Sequence, residues 1–590
     1  MKWKKRAILS LTFWLMGIMA LIGRLIQVQL FATEDFTKHH INLIEASVKQ
    51  RSQEMIVDNG RGDFLDRNGE FLTHEKLPVL ILFPFLSKME WNINTVADIL
   101  DMSKYSLIKE IEKNDKPFAL GDPDPILLSK EQMEKINDLH IPGVFAVEKK
   151  YSIADYPAEQ LIGIIRENPN ELIKRYPDKK LSTQTLIGVS GMEESFDEFL
   201  LAEGKSKLVY HVDGDGSPLF GINVKYVDPG NSFYPLNIRT TIDRQLQTEA
   251  EKLVDKYGIK KGGLVLLDIQ ENSILAMVSR PNINQKDPYN GLGMHNMMVE
   301  QQIIGSVFKT VVAAAAIDYK LDDPKRLFDC NVINGKPDLQ YQHGMLNFTN
   351  SFARSCNNTF GTIARELKDI DPNLLEDYAN RLGMNSKVGW EGNIYHFEQF
   401  SQLKDEEKGR IFTTEDAKKD KNFVYYSGIG QHEVRATPLA VANMMATIAR
   451  GGKKEMVRVA SKIEYKNGTT MAEFDKKIIP GETIAPYTAM KLQKLLREVV
   501  INEHGTGRWF QELPYEVAGK SGTAQTGVIN DGEELHNKWF AGYFPYKNPR
   551  YALVAVNLGV PSNEGGVNPL FADMVNAIFP YENKSQNDGT

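Results

Sequence analysis

Residues 305–317, GSVFKTVVAAAAI, place a serine and a lysine at the start of an apolar, alanine-rich run. The run predicts a buried helix, and the three-residue spacing puts Ser306 and Lys309 on one face of its first turn. That turn offers unpaired N–H groups and the positive end of the helix dipole. Burial lowers the pKa of a lysine, and a neutral lysine can accept a serine proton. The stretch therefore predicts a nucleophile and base for acyl transfer.

The same Ser-x-x-Lys spacing occurs at two other places, Ser106–Lys109 and Ser401–Lys404. Both lie in charged, polar stretches, which are typical of solvent-exposed segments. Ser306 differs from them because it opens an apolar helix. We therefore predict Ser306 as the nucleophile and Lys309 as its general base.

Two further short motifs follow Ser306 along the chain. The first is Ser355-Cys356-Asn357, just before an apolar segment, and the second is Lys520-Ser521-Gly522-Thr523. In the second motif, Lys520 offers a positive charge for a substrate carboxylate, and its two hydroxyls offer hydrogen-bond donors. Its glycine is expected to let a substrate pack against a strand backbone. Three such motifs in this order make a chance origin improbable.

The flanking sequence predicts an α/β domain whose sheet takes strands from both ends of the segment. Residues 241–257 have the periodicity of an amphipathic helix, with Ile242, Leu246, Ala250 and Leu253 or Val254 on one face. Short apolar runs separated by turn residues predict four strands. These runs are 264–267, 274–278, 539–544 and 551–558.

The N-terminus predicts a single membrane anchor. A basic cluster at Lys2, Lys4, Lys5 and Arg6 precedes 17 uncharged residues, 7–23, and a second apolar stretch follows Arg24. This length is at the lower bound for crossing a bilayer, and Arg24 can snorkel to the interface. The flanking charges predict a cytoplasmic N-terminus and an external remainder. A cleaved signal peptide is the alternative, but no convincing small-x-small cleavage site follows.

Composition excludes several classes of protein. The chain has 590 residues, 42% hydrophobic and 25% charged, which is ordinary for a packed globular protein. Its net charge of -7 and pI near 6.0 argue against nucleic acid as a main partner. Two cysteines, Cys330 and Cys356, allow at most one disulfide and no zinc cluster. We expect Cys356 to be a small buried residue, with pairing to Cys330 the less favoured alternative.

Together, the three motifs resemble those of the penicillin-binding proteins and serine β-lactamases. Other segments narrow the resemblance to class B penicillin-binding proteins, and it covers essentially the whole chain. Those segments are 61–69 (RGDFLDRNG), 188–193 (GVSGME), 240–247 (TTIDRQLQ), 428–431 (GIGQ), 436–439 (ATPL) and 539–543 (WFAGY). Departures from the family pattern are Ile304 in place of a frequent proline, Cys356 within the second motif, and Ser521 in place of threonine.

The resemblance implies a multidomain chain. A cytoplasmic stub and transmembrane helix would occupy 1–31, an α+β pedestal of the dimerisation type 32–235, and a transpeptidase domain 236–580. In that domain an antiparallel sheet would pack between helices. Residues 581–590 would form a disordered tail. The pedestal in place of a glycosyltransferase domain implies that the chain does not polymerise glycan.

The resemblance also implies a D,D-transpeptidase that cross-links peptidoglycan stem peptides ending in D-Ala-D-Ala through a Ser306 acyl-enzyme. β-Lactams would acylate the same serine, and no metal or organic cofactor would be needed. The implied partners also include a membrane glycan polymerase within a wall-synthesis complex. The implied catalytic residues are Ser306, Lys309, Ser355, Asn357 and Lys520, and the implied substrate-binding residues are Ser521, Gly522 and Thr523.

Two other functions stay open at this point. The chain could be a β-lactam-binding scaffold or sensor with little turnover, although the intact motifs favour an enzyme. It could also be a D,D-carboxypeptidase, which passes the acyl group to water. No Glu-x-x-Leu-Asn sequence follows Ser355, so the resemblance implies a long-lived β-lactam adduct.

Overall fold

A computed structural model describes most of the chain, and its described residues divide into two compact units. The first unit comprises Met1–Gly60, Glu75–Tyr151 and Glu203–Asn231, and the second the rest. Segments 61–74 and 152–202 therefore belong to the second unit, although the sequence placed them in the pedestal. The described residues are 2–31, 33, 42–43, 51–179, 181–201, 204–213, 219, 224–228, 231, 233–339 and 341–587, without the side chains of 2 and 582–587.

The N-terminal segment forms one long helix, Lys2–Ile26, which continues as a π-helical turn, Gln27–Phe31. Residues Trp3–Phe31 are long and apolar enough to cross a membrane, and the helix side chains are exposed. Arg24 donates a hydrogen bond to Gln27 Oε1 at 2.7 Å. An apolar helix here fits the predicted membrane anchor.

The remainder of the first unit is an α+β arrangement around its own apolar core. It contains two three-stranded sheets. The strands of the first, in spatial order, are Ser52–Asp58, Ser206–His211 and Lys225–Val227. Those of the second are Phe118–Ala119, His74–Leu82 and Val144–Ser152. Its helices are Pro84–Lys88 (3₁₀), Ile93–Ile99, Lys104–Lys113 and Lys130–Asp138.

A five-stranded sheet organises the second unit, and all of its paired neighbours are antiparallel. Successive side chains of a strand point to opposite faces, so a strand buried on both sides is apolar throughout. Leu264 and Leu266 pack into one core, and Val265 and Leu267 into another. The strands, in spatial order, are Ser273–Arg280, Gly262–Asp268, Tyr551–Val560, Glu533–Phe544 and Ala518–Asn530.

Helices cover both faces of this sheet. Arg244–Lys256 and Asn568–Asn587 pack on one face. Lys309–Asp318, Pro438–Ala449 and Pro486–Ile501 share the core on the other. Burial of each Leu or Val side chain stabilises the fold by roughly 1.5–3 kcal/mol. The buried helix predicted from the alanine-rich run is confirmed, with nine of its ten residues buried.

Shorter elements complete the second unit. Its other helices are Glu159–Ile162, Pro169–Arg175, Gly191–Ser195, Asp197–Leu200, Gly305–Phe308 (3₁₀), Phe348–Ala353, Asn357–Ile370, Leu374–Arg381, Glu415–Lys419, Lys421–Gly428 and Arg508–Phe510 (3₁₀). Its other strands are Phe64–Leu65, Ile165–Glu167, Leu186–Gly188, Asn237–Thr240, Gln302–Ile303, Leu327–Asp329, Val332–Ile333, Lys336–Pro337, Met345–Asn347, Glu391–Ile394, Phe397–Ser401, Arg435–Ala436, Ala460–Glu464 and Thr470–Glu473.

The predicted secondary structure agrees closely with these bounds. The helix expected at 241–257 spans Arg244–Lys256, because the Asp243 side chain caps its start by accepting from Leu246 N. The four predicted strands are all present and two to six residues longer than their apolar cores. The last helix extends to Asn587, into the expected tail, and 588–590 lie outside the described residues.

A buried ion cluster joins two of the sequence segments that carry the family resemblance. Arg61, from the first of them, is 3% exposed and contacts Glu193 at 2.6 Å and Asp197 at 2.8 Å. Both carboxylates are also buried. Burial makes each charge depend on its partners, because none of them is solvated.

Replacing Arg61 with methionine should therefore destabilise the second unit by about 3–5 kcal/mol, because two buried carboxylates lose their cation. The exposed ion pair of Arg244 with Glu70 supplies the control, since Arg244→Met should cost about 0–1 kcal/mol. Urea unfolding of the full chain measures both changes. Equal shifts of the two unfolding midpoints would contradict the importance of the buried cluster.

Candidate active site

Ser306 lies in a tight turn immediately before the buried helix. Residues Gly305–Phe308 form a 3₁₀ turn, and the α-helix begins at Lys309. The prediction placed Ser306 in the first α-turn, so this detail is corrected. A 3₁₀ helix has three residues per turn, so Ser306 and Lys309 still share one face. Gly305 has φ +56°, and a side chain there would meet Thr523 O at 2.4 Å.

Neighbouring segments fix this turn from two sides. Trp539 Nε1 donates to Ile303 O at 3.1 Å, and Asn537 Nδ2 donates to the same oxygen at 3.3 Å. On the other side, Gly305 N donates to Gly430 O at 3.0 Å. The family-like segments at 428–431 and 539–543 therefore hold the turn in place. Trp539 is 2% exposed and packs in the core beside the sheet.

Two buried lysines converge on one hydroxyl beneath the turn. Lys309 Nζ donates to Ser355 O at 2.7 Å, Ser355 Oγ at 3.2 Å and Asn357 Oδ1 at 2.7 Å. Lys520 Nζ donates to the same Ser355 Oγ at 2.9 Å and to Ser521 O at 3.0 Å. Neither lysine side chain is solvent-exposed. The three sequence motifs thus meet at Ser355 Oγ.

Burial alters the protonation of both lysines. Desolvation, and then the nearby charge of Lys520, hold the pKa of Lys309 well below its ordinary value, against the opposing effect of Asp338. Desolvation lowers the pKa of Lys520 to about 7. Lys309 is therefore available as a neutral amine at pH values where an exposed lysine stays charged.

Ser355 and Asn357 lie at a junction of two helices. Ser355 follows the helix Phe348–Ala353 and has φ +60°, a left-handed conformation that is uncommon outside glycine. Asn357 begins the helix Asn357–Ile370. The junction directs both side chains towards Lys309.

The cysteine between them is paired, contrary to our expectation. Cys330 and Cys356 form a disulfide with a Cα–Cα distance of 5.7 Å. The expected burial of Cys356 is confirmed, at 2% exposure. Sequence spacing could not show the pairing, because the two cysteines are 26 positions apart and the chain between them folds back through the short strands within 332–347. The disulfide ties that segment to the second motif.

The third motif lies on the edge strand Ala518–Asn530. Ser521 Oγ donates to Thr506 Oγ1 at 2.8 Å. The expected role of Gly522 as a platform for substrate stays a prediction. A side chain at this position would meet Ile304 O at 2.7 Å and Val307 at 2.9 Å. The glycine therefore also allows the strand to approach the turn of Ser306.

These elements border a cleft of 350 Å³. Ser306, Ser355, Asn357, Ser521 and Thr523 all line it, and the two lysines lie beneath. Ser306 Oγ makes no hydrogen bond to any described residue, Lys309 included, so its hydroxyl is free for a ligand. Catalytic hydrogen bonds often form only once substrate is bound.

Matches to known families cover most of the chain. The penicillin binding protein transpeptidase domain matches residues 262–576, just over half of the chain. This chain belongs to the penicillin-binding proteins. The penicillin-binding protein dimerisation domain also matches, at residues 56–234. The expected architecture of an apolar N-terminal helix, a dimerisation-type domain and a transpeptidase domain is confirmed.

Relatives of this penicillin-binding protein match over most of their length. Stage V sporulation protein D of Bacillus subtilis is 24% identical over 94% of this chain and 82% of its own. The peptidoglycan D,D-transpeptidase MrdA of Acinetobacter baumannii is 24% identical over 91% and 82%. One chain of a solved peptidoglycan synthase complex, which coordinates polymerization and crosslinking, shares the fold with a TM-score of 0.63. It is 20% identical and covers 97% of this chain and 98% of its own.

Sequence analysis missed one wall of the cleft in this penicillin-binding protein. Asp338, Tyr341, His343 and Arg354 line that wall. Arg354 Nη2 lies 2.9 Å from His343 Nδ1 and donates to it when the imidazole is neutral. Burial, and then the charge of Arg354, lower the pKa of His343 and favour this neutral form. Arg354 precedes Ser355 directly, and that adjacency was the one available signal.

Other candidate residues lie away from the cleft. Ser106 and Lys109 are exposed on the helix Lys104–Lys113, as predicted, and Ser401 ends a short strand. His432 stacks on Phe423 at 4.7 Å and does not line the cleft. Within the described part of the chain, no cluster of three or more His, Cys, Asp or Glu side chains is placed to hold a metal. That no cofactor is needed stays a prediction.

Proposed function

We propose that this penicillin-binding protein cross-links peptidoglycan stem peptides by acyl transfer through Ser306. The convergence of Lys309 and Lys520 on Ser355 Oγ, beneath a cleft lined by Ser306, carries the proposal. The site combines a free hydroxyl, a lysine with a lowered pKa and a connected second hydroxyl. These are the parts that two-step acyl transfer requires.

The first step forms the acyl-enzyme. Ser306 Oγ attacks the carbonyl carbon of the penultimate D-Ala, and Lys309 Nζ takes the hydroxyl proton. The bond to the terminal D-Ala nitrogen then breaks, Ser355 delivers its proton to that nitrogen, and the Lys309 ammonium returns a proton to Ser355. Asn357 orients Lys309 through the 2.7 Å hydrogen bond and binds the substrate amide. Free D-Ala leaves the cleft.

Charge stabilisation comes from the turn and the edge strand. The backbone N–H groups of Ser306 and Thr523 would serve as the oxyanion hole, with each donor worth roughly 3–4 kcal/mol in a comparable serine enzyme. Lys520, Ser521 and Thr523 bind the terminal carboxylate. A carboxylate beside Lys520 would raise the pKa of that lysine and keep it charged.

The second step transfers the acyl group to an amine of a neighbouring stem. The amine nitrogen bonds to the acyl carbon and gives a proton to the neutral Lys309, the ester bond to Ser306 breaks, and Lys309 passes that proton to the serine oxygen. A β-lactam enters by the same first step and leaves a stable adduct, because its leaving group stays attached.

The apolar N-terminal helix supports a location in the cell membrane. We propose a single span with a cytoplasmic N-terminus, because Lys2, Lys4, Lys5 and Arg6 precede the apolar segment. The catalytic unit would then act outside the membrane. The similar chain within a peptidoglycan synthase complex supports a separate glycan polymerase as partner.

Product analysis separates this function from its alternatives. The full chain in detergent is incubated with uncross-linked glycan strands whose stems end in D-Ala-D-Ala, and the muramidase digest is analysed by mass spectrometry. We expect cross-linked dimers together with released D-Ala. Release of D-Ala without dimers would indicate a carboxypeptidase. Neither product, in a protein that penicillin still acylates, would indicate a scaffold or sensor.

A further inference from the structure

A second cavity of 890 Å³ lies behind the catalytic cleft. The two cavities share the strand Glu533–Phe544 as a wall. His536 and Lys538 line the cleft, whereas Leu535 and Asn537 line the second cavity. Alternate side chains of a strand point to opposite faces, so the cavities lie on opposite sides of it. None of the catalytic side chains described above lines the second cavity.

The charge of this cavity is predominantly positive. Its lining includes three cationic side chains, Lys260, Lys261 and Arg435, against one acidic side chain, Glu564. Within the described part of the chain, none of the three cations forms an ion pair with a carboxylate. Clustered cations repel one another unless an anion lies between them.

A pair of arginines adjoins the cavity and increases its excess of positive charge. Arg410 and Arg435 exchange two backbone hydrogen bonds, both 2.8 Å, so the two residues are directly opposed on adjacent strands. Like charges in this arrangement destabilise a sheet. The Nε of each arginine is buried and bonds to no described residue. Burial, and then the charge of Arg410, lower the pKa of Arg435, against the opposing charge of Glu407.

The cavity also adjoins the strand that leads to the nucleophile. Arg435 pairs with Ile303, whose carbonyl oxygen accepts the hydrogen bond from Asn537. Ile303, Arg435 and Asn537 all line the cavity. A ligand bound there would contact the support of the turn that carries Ser306.

We propose that this cavity is a binding site for a phosphate-type oxyanion, held by Arg435 with Lys260 and Lys261. A guanidinium presents its donors in a planar fork that matches two oxygens of a phosphate group. A bound anion would satisfy the free Nε group of Arg435 and screen the repulsion from Arg410. Free diphosphate and a phosphate ester of a lipid headgroup or polymer supply the same chemistry.

Calorimetric titration of the full chain in a non-ionic detergent at low ionic strength tests the site, with inorganic pyrophosphate as the probe. We expect saturable binding with one site per chain. Arg435→Gln should raise the dissociation constant about tenfold or more, because a hydrogen-bonded charge contact is lost. Lys494→Gln removes one exposed positive charge elsewhere in the same unit and should leave the constant unchanged.

Lys261→Gln provides a second variant in case Arg435→Gln fails to fold, and it should weaken binding severalfold. Titration with glycerol 1-phosphate distinguishes the sources, since tighter binding of this ester than of pyrophosphate indicates a headgroup or polymer. An absence of saturable binding to both probes would overturn the proposal. So would equal affinity in wild type and both variants. The titration is also repeated with Ser306→Ala, which cannot form the acyl-enzyme. Unchanged binding of pyrophosphate in this variant would show that the anion site is independent of the acyl-transfer function.

Discussion

Ser306→Ala should abolish both cross-linking and acylation by penicillin. The substitution removes the oxygen that forms the acyl bond, and no other described hydroxyl in the cleft lies in the turn above Lys309. Loss of the nucleophile in a comparable serine enzyme lowers turnover on the order of 10⁶-fold. The fold should be retained, because Ser306 Oγ makes no hydrogen bond to the described residues. Labelling with fluorescent penicillin and dimer analysis measure the two activities.

The chain provides a matched control for this substitution. Ser106 has the same Ser-x-x-Lys spacing but is exposed on a surface helix. The Ser106→Ala variant should be labelled by penicillin, and should cross-link stem peptides, at the wild-type rate. Persistent labelling of Ser306→Ala would show that another serine is the nucleophile.

Lys309→Met should lower the rate constant of acylation by about 10²–10⁴, the range typical of a lost general base. Methionine keeps the length and burial of the side chain but has no amine to accept the proton of Ser306. The fold should be retained, because removal of the fully buried amine also removes its desolvation cost, which offsets the loss of its three hydrogen bonds. Stopped-flow measurement of penicillin labelling gives the rate constant.

The pH profile provides a second measure of the role of Lys309. In the wild type, acylation should slow on acidification, because the neutral amine gains a proton as the pH falls through its pKa. Lys309→Met should lack this acid limb. The exposed Lys109→Met is the control and should match the wild type in rate and profile. A Lys309→Met rate within threefold of the wild type would contradict the assignment of the base.

The sequence predicted the elements of this fold where local periodicity determines them. The prediction was correct for the alanine-rich helix after Ser306 and for the strands around Leu264 and Tyr551, because continuous apolar runs indicate buried elements. The convergence of three distant motifs was inferred from their resemblance to a family. The structure adds their common meeting point, Ser355 Oγ, which receives hydrogen bonds from two lysines.

Features set by tertiary packing could not be predicted. The partner of Cys356 depends on the path of the segment after Cys330, and no local pattern reports that path. Gly522 was assigned to substrate, and the sequence did not show that the close approach of Ile304 and Val307 also requires a glycine there. The opposition of Arg410 and Arg435 arises from a pairing between residues 25 positions apart, and neither residue belongs to a recognisable motif.

The mass of the penicillin adduct on a single peptide identifies the serine that forms the acyl-enzyme. Trypsin releases residues 287–309, DPYNGLGMHNMMVEQQIIGSVFK, in which Ser306 is the one serine and no threonine occurs. The full chain in detergent is treated with penicillin, digested and analysed by tandem mass spectrometry. We expect one adduct per chain, on this peptide and at Ser306. An adduct on Ser355 or Ser521, or no adduct in a folded protein, would contradict it.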